Sequence, residues 1–397
     1  MKVLMIHNFY RSSSPSGEDA VFQAEADLFR RRGVEVVRYE KSNDAINGNR
    51  KWTAAHRVIW AKDTYAELTE LIRCEKPDVA HFHNIWYLIS PSAYYACKAA
   101  GIAVVQTLHN FRMFCANGLL LRDGRVCEEC VGKFPWRGIY HGCYRDSRLY
   151  SAPVVAADIF HRAKKTWAET IDAFVTLTDF GREKFIQCGL PAEKIFVKPN
   201  FLLNPPMPRY DAGDYAIYVG RLSAEKGLDT LLDALMLLNH TASSPLQVKI
   251  VGDGPLRKHL EQRVRDSSLP GIEFLGRRDY GQGLALLSRA SYLIMPSVCY
   301  ENFPMAICEA YACGKPVVAS RLGAVAEIVH DKSTGLLFDA RDSTDLSAKL
   351  RWMKENEDAC SEMGRCGRAE FEKSYGADRN FDMLMDIYRK AASSKGT

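Results

Sequence analysis

Two glutamates eight positions apart frame an apolar segment in the second half of the chain. Glu301 and Glu309 stand at the two ends of "ENFPMAICE", and "CGKPVV" follows closely. Asn302 or Phe303 can cap a helix whose first residue is Pro304, so Glu301 lies just before a predicted helix start. The favourable interaction of a carboxylate with that helix start is enough to explain Glu301. Glu309 lies between apolar neighbours, and a carboxylate buried there needs a polar partner. Hydroxyl groups of a bound ligand, such as a ribose or sugar diol, are suitable partners.

Two basic side chains follow a β-rich run earlier in the same half. Arg221 and Lys226 occur in "YAIYVGRLSAEKGLD". An arginine supplies a fork of donors and a lysine a compact charge, which together suit a diphosphate. A solvated turn with a salt bridge at a helix start is the alternative, and this motif alone leaves both open.

The elements that position these residues alternate between strand and helix patterns. Each half contains six short β-rich runs separated by helical segments: "KVLMIHNF", "VEVVRYE", "PDVAHFHN", "IAVVQTLHN", "AFVTLTDF", "IFVKPN", and then "YAIYVGRL", "LQVKIVGDG", "IEFLG", "SYLIMPS", "KPVVAS", "GLLF". This alternation predicts βαβ units and two doubly wound parallel sheets. The fold class is therefore α/β. In such sheets ligands bind beyond the carboxyl ends of the strands, where the candidate residues lie.

The domain boundaries follow from composition. Residues 200–214 carry three prolines without helical or strand periodicity, which is typical of a linker. We predict a first domain over 1–200 with an insertion at about 111–150, and a second domain over 201–375. The helical pattern over 376–397 packs on the second domain or crosses back to the first.

Composition limits the function classes. The chain has 397 residues, 47% of them hydrophobic, and a net charge of +5, too small to indicate a nucleic-acid partner. The start has only a four-residue apolar stretch before His7, far short of a signal-peptide core, and no window approaches 18 apolar residues. The expected location is the cytoplasm, where the 12 cysteines should be mostly reduced.

The glycine-rich sequence motifs of common nucleotide-binding folds are incomplete or absent in this chain. "VGDGP" contains Gly252 and Gly254 but not a full G-x-G-x-x-G, and no P-loop pattern is present. A dehydrogenase is the weakest enzyme class for this chain, and a P-loop nucleotidase is unsupported.

Taken in order, these motifs resemble a known family. E-x7-E after the fourth strand of the second half, with "GRLSAEKGLD", "VGDGP", "FLGR" and "ACGKPVVAS", is similar to the retaining nucleotide-sugar glycosyltransferases of family 4. That family has the GT-B fold, with two Rossmann-like domains facing across a cleft. The resemblance covers essentially the whole chain.

The resemblance implies roles for residues of the second half. Arg221 and Lys226 would bind the donor diphosphate, with Gly254 and Arg277 as further donor contacts. Glu309 would bind the ribose and Glu301 the transferred sugar, helped by the backbone amides of the residues that follow it, which are Asn302 and Phe303. Family members often read E-G-F-G where this chain reads E-N-F-P, and Pro304 offers no N–H.

The first half matches the family too. Gly17 in "PSGEDAVF" stands at the turn into the first helix, where its backbone would approach the donor phosphate. His109 in "TLHNFR" matches the family histidine that faces the donor sugar. A structural role is the alternative for His109. His81 and His83 are read as structural, and Asn84 borders the expected cleft.

The insertion carries four cysteines, Cys115, Cys127, Cys130 and Cys143, in a C-x11-C-x2-C-x12-C spacing. A C-x2-C turn with two flanking cysteines predicts a structural zinc knuckle. Free thiols or redox-labile disulfides are the alternatives, and His141 is a possible substitute ligand.

The insertion is also basic and aromatic. Residues 112–165 contain ten Lys/Arg and five Asp/Glu, and aromatic residues lie among the arginines. Such a surface could meet anionic lipid or a lipid-diphosphate acceptor at the inner face of a membrane. A solvated loop is the alternative.

The functional prediction is a retaining hexosyltransferase of family 4. It would move a sugar from a UDP-, GDP- or ADP-sugar to a glycan or lipid-linked glycan in cell-surface polysaccharide synthesis. The donor would bind mainly to the second domain and the acceptor mainly to the first. No catalytic cofactor is expected, since no Asp-x-Asp follows a strand. A sugar-nucleotide epimerase and a non-catalytic nucleotide-sugar-binding protein are the alternatives.

Overall fold

The computed structural model describes residues 1–13, 16–46, 56–239 and 244–393. By internal contacts the chain divides into two compact units. The first comprises the described parts of 1–120, 127–200 and 377–397, and the second comprises 121–126 and the described parts of 201–376. The chain passes into the second unit after Asn200 and returns to the first after Gly376.

The strands follow one another in chain order. The first eight are β1 (Lys2–Phe9), β2 (Glu35–Ser42), β3 (Val79–Phe82), β4 (Ala103–Thr107), β5 (Leu121–Arg122), β6 (Arg125–Val126), β7 (Ala173–Thr176) and β8 (Ile195–Val197). The remaining six are β9 (Ala216–Val219), β10 (Val248–Val251), β11 (Ile272–Gly276), β12 (Leu293–Met295), β13 (Val317–Ser320) and β14 (Gly335–Phe338).

Helices connect the strands. Those of the first unit are α1 (Gly17–Arg31), α2 (Lys62–Glu75), α3 (Ser92–Ala99), α4 (Arg137–Tyr140), α5 (Arg148–Ala163), α6 (Thr166–Thr170) and α7 (Asp179–Gln187). Those of the second are α8 (Leu228–Asn239), α9 (Arg257–Asp266), α10 (Tyr280–Arg289), α11 (Met305–Ala312), α12 (Ala324–Ile328), α13 (Ser343–Glu355) and α14 (Glu357–Ser374). The chain ends in α15 (Ala377–Ser393), and short 3-10 turns cover Asn43–Ala45, Ala192–Lys194 and Ala224–Lys226.

Each unit is built on a six-stranded parallel sheet. The strand order is β2-β1-β3-β4-β7-β8 in the first unit and β11-β10-β9-β12-β13-β14 in the second. The pairings within both sheets are parallel. The strand order reverses beside β1 in the first sheet and between β9 and β12 in the second, which is the usual place for a ligand. The predicted α/β class is confirmed.

Local sequence explains why these elements form. The inner strands are short apolar runs, as expected for parallel sheets covered on both faces. The edge strand β2 is more polar. Helix α1 begins with a capping box in which the Ser16 and Asp19 side chains each accept from the other residue's backbone. It ends before Gly33, which has the positive φ of +74° common after helices.

The C-terminal helix completes the core of the first unit. Leu384, Ile387, Tyr388 and Ala391 of α15 are buried in one cluster with Val3, Met5, Phe22, Val105 and Val175. The first core therefore depends on a segment that follows the whole second unit in sequence.

The insertion contains regular secondary structure. Strands β5 and β6 pair as an antiparallel hairpin, and α4 and the start of α5 follow. The hairpin groups with the second unit, where the Arg341 guanidinium donates to the Gly124 carbonyl over 3.1 Å. The predicted first domain, 1–200, includes these residues.

Candidate functional site

Lys226 and Glu301 meet where the strand order of the second sheet reverses. They follow β9 and β12, and Lys226 Nζ donates to Glu301 Oε1 over 2.6 Å. Ser297 Oγ donates to the same oxygen over 2.8 Å. Burial lowers the pKa of Lys226, but the Glu301 carboxylate outweighs it and the pKa is raised above its ordinary value. Lys226 is therefore a firmly protonated cation at the strand ends.

The loops carrying this pair are held together by backbone contacts. The Val298 N–H donates to the Glu225 carbonyl over 2.9 Å. Gly227 has φ +67°, and a Cβ there would lie 1.9 Å from the Pro296 carbonyl oxygen. Only glycine permits this close approach, so the "EKG" sequence positions Lys226 against the loop of Glu301.

The helix after Glu301 begins one residue later than predicted. Pro304 precedes α11 as its cap residue, with an extended ψ of 110°, and the first helical residue is Met305. The prediction that Pro304 opens the helix was therefore wrong. Phe303 is 8% exposed and packs edge-on against Tyr375, with ring centroids 5.3 Å apart. The Phe303 side chain therefore packs inside the second unit, and a ligand contact of this residue would involve its backbone.

Glu309 lies within α11 and is half-buried. Burial raises the pKa of its carboxyl to about 7. Within the described residues this carboxylate forms no hydrogen bond or ion pair, unlike Glu301. A ligand hydroxyl would supply the missing partner, in agreement with the reasoning from sequence.

The other candidates of the second unit lie at different distances from the Lys226–Glu301 pair. Arg221 is exposed on the same loop as Lys226. Gly254 meets that loop, because a Cβ would lie 2.4 Å from the Leu222 carbonyl oxygen. Arg277 is exposed after β11, the edge strand, with β10 between it and β9. The structure thus brings Arg221, Lys226 and Glu301 to the strand reversal and leaves Arg277 two strands away.

In the first unit His109 belongs to a chain of buried polar groups. It follows β4, and its Nε2 lies 3.0 Å from His83 Nδ1. His83 Nε2 lies 3.2 Å from Glu25 Oε2, and Lys198 Nζ donates to Glu25 Oε1 over 2.6 Å. Burial lowers the pKa of both histidines. Burial raises the pKa of Glu25, but nearby Lys198 and the histidines hold it well below its usual range.

A pocket of about 80 Å³ in the first unit is lined by His109 and by residues that the sequence analysis missed, including Glu18, Trp86 and Arg112. Burial raises the pKa of Glu18, which accepts from Asn110 Nδ2 over 2.9 Å. The Arg112 guanidinium lies 5.2 Å from the centre of the Trp86 ring. These residues could have been found from their positions in the sequence. Glu18 lies in "SGED" at the turn into the first predicted helix, and Trp86 and Arg112 follow "HFHN" and "TLHN" at the ends of predicted strands. Gly17, exposed at the start of α1, is the neighbour of Glu18.

Comparison with known proteins identifies the family. The glycosyl transferases group 1 family matches residues 206–370, and the glycosyl transferase 4-like domain matches residues 13–200. The chain belongs to the family-4-type glycosyltransferases. The predicted family is confirmed.

Curated relatives of this glycosyltransferase are also glycosyltransferases. An uncharacterized glycosyltransferase of Methanocaldococcus jannaschii is 34% identical over 46% of this chain and 50% of its own length. The D-rhamnosyltransferase WbpZ of Pseudomonas aeruginosa is 30% identical over 41% of this chain and 42% of its own length. The chain spans half or less of the first curated relatives it matches.

Two solved structures share the fold of the glycosyltransferase. Anabaena HepE, crystallised with UDP, has a TM-score of 0.67 at 18% identity and covers 98% of this chain and 99% of its own. The sucrose-phosphate synthase of Thermosynechococcus elongatus has a TM-score of 0.67 at 16% identity, covering 99% of each chain. The GT-B fold is confirmed.

The four cysteines of the insertion, Cys115, Cys127, Cys130 and Cys143, are partly buried and form no disulfide bond. In the described residues no three of these thiols have their sulfur atoms within 4.8 Å of one another. Burial raises the pKa of Cys115, and that of Cys130 to about 11. The structural zinc site stays a prediction.

One other group in the glycosyltransferase has the spacing of metal ligands. Among the described residues, Glu25, His81 and His83 place one ligand atom each within 4.8 Å of the others. Lys198 already pairs with the Glu25 carboxylate at 2.6 Å. A cation in that position repels a metal ion, so this group does not fit a metal site.

The basic insertion exposes a compact set of rings and cations. Trp136 is 51% and Tyr140 59% exposed, and their ring centroids lie 6.3 Å apart. Arg137 lies over Trp136 at 5.8 Å and Arg148 over Tyr140 at 5.4 Å. We call these four residues the basic aromatic surface. Throughout the described part of the chain, every helix is too short or too polar to cross a membrane.

Proposed function

We propose that this chain is a retaining hexosyltransferase that moves a sugar from a nucleoside-diphosphate sugar to a glycan or lipid-linked glycan in cell-surface polysaccharide synthesis. The observation that carries the proposal is the Lys226–Glu301 pair at the strand reversal of the second sheet. A permanent cation there suits a diphosphate, and the adjacent carboxylate suits the hydroxyls of the attached sugar.

The leaving diphosphate carries the charge that develops in the reaction. Lys226 and Arg221 would neutralise it in place of a metal ion, and Glu309 would accept from the ribose. Glu301 is held by Lys226 and Ser297. A carboxylate tied to a cation is a poor nucleophile. That property supports a front-face, oxocarbenium-like route over a covalent intermediate on Glu301.

The sugar donor and the acceptor are proposed to bind mainly to different units. HepE has been crystallised with UDP and with UDP-glucose, which makes a UDP-sugar the first donor to test, followed by GDP- and ADP-sugars. The proposed donor contacts are Gly17, Gly254, Arg277 and the amides of Asn302 and Phe303, with His109 facing the donor sugar. The acceptor is assigned to the first unit, in keeping with its pocket of aromatic and polar side chains.

The test is the loss of the Arg221 contact. Arg221→Ala should lower the transfer rate or donor affinity about ten- to a hundredfold, because charge-assisted hydrogen bonds to the diphosphate are lost. Release of free nucleoside diphosphate and formation of glycosylated acceptor measure the reaction across the donor panel. Arg289→Ala, another exposed arginine of the second unit, is the control and should match the wild type.

The outcomes separate the possible activities. Wild-type turnover in Arg221→Ala would refute the role of Arg221. Conversion of the donor without release of free nucleotide would indicate an epimerase. Donor binding without any product would indicate a non-catalytic binding protein. Retention is read from the anomeric configuration of the product, and inversion would contradict it.

We also propose that the basic aromatic surface contacts anionic lipid, which would bring a lipid-linked acceptor to the first unit. Its exposed rings and guanidinium groups suit a membrane interface. The double variant Trp136→Ser and Tyr140→Ser should abolish co-sedimentation with vesicles containing anionic lipid. Met207→Ser removes another exposed apolar side chain, 84% exposed, and should bind as the wild type does. Binding that is independent of lipid charge would contradict the proposal.

A further inference from the structure

A cavity of about 300 Å³ lies in the second unit, at the opposite end of the sheet from Lys226 and Glu301. Its walls include the residues that directly precede β9, β10, β12 and β13, namely Tyr215, Gln247, Tyr292 and Pro316. Strand β9 has four residues, which span about 13 Å between the two ends of the sheet. The cavity has the volume of a small-molecule site and is separate from the proposed donor site.

Two polar side chains in the wall of this cavity are almost completely buried. Lys315 is 2% exposed and Tyr292 is 1% exposed. Among the described residues, Lys315 Nζ makes one hydrogen bond, donating to the Asp211 carbonyl oxygen over 3.0 Å, and it forms no ion pair. Within the same part of the chain the Tyr292 hydroxyl has no hydrogen-bond partner.

The two side chains lie at neighbouring places in the sheet. Tyr292 precedes β12 and Lys315 lies just before β13, and these two strands are paired. The Leu293 N–H donates to the Pro316 carbonyl over 3.0 Å, which fixes the two chain segments side by side. A small ligand in the cavity can therefore contact both residues.

The buried lysine has unused capacity to bind an anion. An ammonium group has three N–H donors, and the Asp211 carbonyl takes one of them. Burial lowers the pKa of Lys315, although the nearby Asp211 carboxylate opposes this change. The direction of the shift shows that neighbouring carboxylates do not compensate for the water that the ammonium has lost.

The acidic residues of the cavity wall are exposed to solvent. Asp211, Asp214 and Glu357 are all exposed, and Asp211 is paired with Arg209 at 2.6 Å. Charges in water interact much more weakly than charges in a region from which water is excluded. In the buried part of the cavity the positive charge of Lys315 therefore outweighs these carboxylates.

We propose that this cavity binds a small organic anion, either a carboxylate or a phosphate monoester. Lys315 binds the anionic group, and the Tyr292 hydroxyl donates to an oxygen of the ligand. The rest of the ligand lies against the apolar part of the wall, which is formed by Pro245, Leu246, Pro316 and Met353. Because the site is separate from the donor and acceptor sites, the proposal stands or falls independently of the proposed function.

Four probes that share one ring test the requirement for a negative charge: benzoate, phenyl phosphate, benzyl alcohol and benzylamine. Calorimetry on the full chain at pH 7.5 measures their affinities. The better-bound anion should bind at least tenfold more tightly than the alcohol and the amine, and its identity distinguishes a carboxylate from a phosphate ligand. Equal affinities for all four probes, or no binding of either anion, would overturn the proposal.

Substitutions of lysine assign the anion to the cavity. Lys315→Met should lower its affinity about ten- to a hundredfold, because charge-assisted hydrogen bonds are lost. Lys258→Met, at an exposed position of the same unit, is the matched control and should bind as the wild type does. Lys226→Met removes the cation at the strand reversal. Loss of binding in Lys226→Met but not in Lys315→Met would place the anion at the strand reversal and refute the site.

Tyr292→Phe gives a test that leaves every charge in place, and it applies even if Lys315→Met does not fold. A buried hydroxyl without a partner does not stabilise the fold, so without probe the unfolding temperature should equal or exceed that of the wild type. The affinity for the anion should fall about three- to tenfold, as for the loss of one hydrogen bond. A lower unfolding temperature without probe, or an unchanged affinity, would contradict the role of Tyr292 in the site.

Discussion

At the scale of single residues, the two glutamates of the opening motif have opposite environments. Glu301 is paired with Lys226 and Ser297, whereas Glu309 is half-buried without a partner among the described residues. The same spacing therefore supplies one carboxylate that is paired with a cation and one that is costly to ionise. Glu309 should make folding stability depend on pH.

Replacement of Glu309 by glutamine should stabilise the protein at alkaline pH. Burial raises the pKa of Glu309 to about 7 from an ordinary value of 4.5, so the folded state holds this proton more tightly than the unfolded chain. Stability is therefore lost as pH rises through this window. At pH 8, Glu309→Gln should gain roughly 1–3 kcal/mol over the wild type by denaturant unfolding.

Two comparisons make the Glu309 prediction specific. Below pH 4.5 the gain should vanish, because the carboxyl is then protonated in both states. Glu273→Gln, which replaces an exposed carboxylate of the same unit, is the matched control for the loss of a negative charge. A gain that is the same at pH 4 and pH 8 would show that packing, rather than ionisation, is responsible.

At the scale of elements, the loops after the strands depend on glycine for close approach. Gly227 allows the loop after β9 to touch the loop after β12, and Gly252 and Gly254 do the same between the loops after β9 and β10. The glycines of "VGDGP" are therefore explained by backbone contact. A phosphate-binding role for them stays a prediction.

Replacement of Gly227 by alanine should disrupt the donor site more than the backbone strain of a positive φ alone would. The φ of +67° costs about 1–2 kcal/mol for an L-residue, and the Cβ would lie 1.9 Å from the Pro296 carbonyl oxygen. Gly227→Ala should therefore lower the unfolding temperature and abolish UDP binding measured by calorimetry. Gly33 has φ +74° with nothing within 4 Å of its Cβ position, so Gly33→Ala should show the φ cost alone and retain UDP binding. Equal effects of the two substitutions would refute the contact.

At the scale of the whole molecule, the last helix stabilises the first unit. Leu384 is 1% exposed in the core that α15 shares with β1 and β4. A buried leucine replaced by alanine typically costs about 2–5 kcal/mol.

Leu384→Ala should therefore destabilise the first unit and leave the second intact. Calorimetric unfolding should show one transition moving to lower temperature while the transition stabilised by UDP stays in place. Asp382→Ala, at an exposed position of the same helix, is the control and should change neither. If both transitions move together, the two units unfold cooperatively and the prediction is wrong.

Most of the fold was predictable because its signals are local. Apolar runs of four to eight residues, turns with glycine or proline, and helix caps each act over a few positions. The candidate residues of the second unit were found for the same reason, since each lies in the segment after a strand or, for Glu309, in the helix that follows that segment. The start of α11 was missed by one residue because the backbone of Pro304 is extended, a choice that its sequence does not dictate.

What sequence alone determined is the order of strands and helices, the family, and which residues follow each strand. What only the tertiary structure decided is which distant residues meet. Glu25 and Lys198 are 173 positions apart, and His81 and Tyr388 are 307 apart. No periodicity connects such pairs, because their contact depends on how complete elements pack. The environment of His109 and the partner of the last helix were therefore decided by packing.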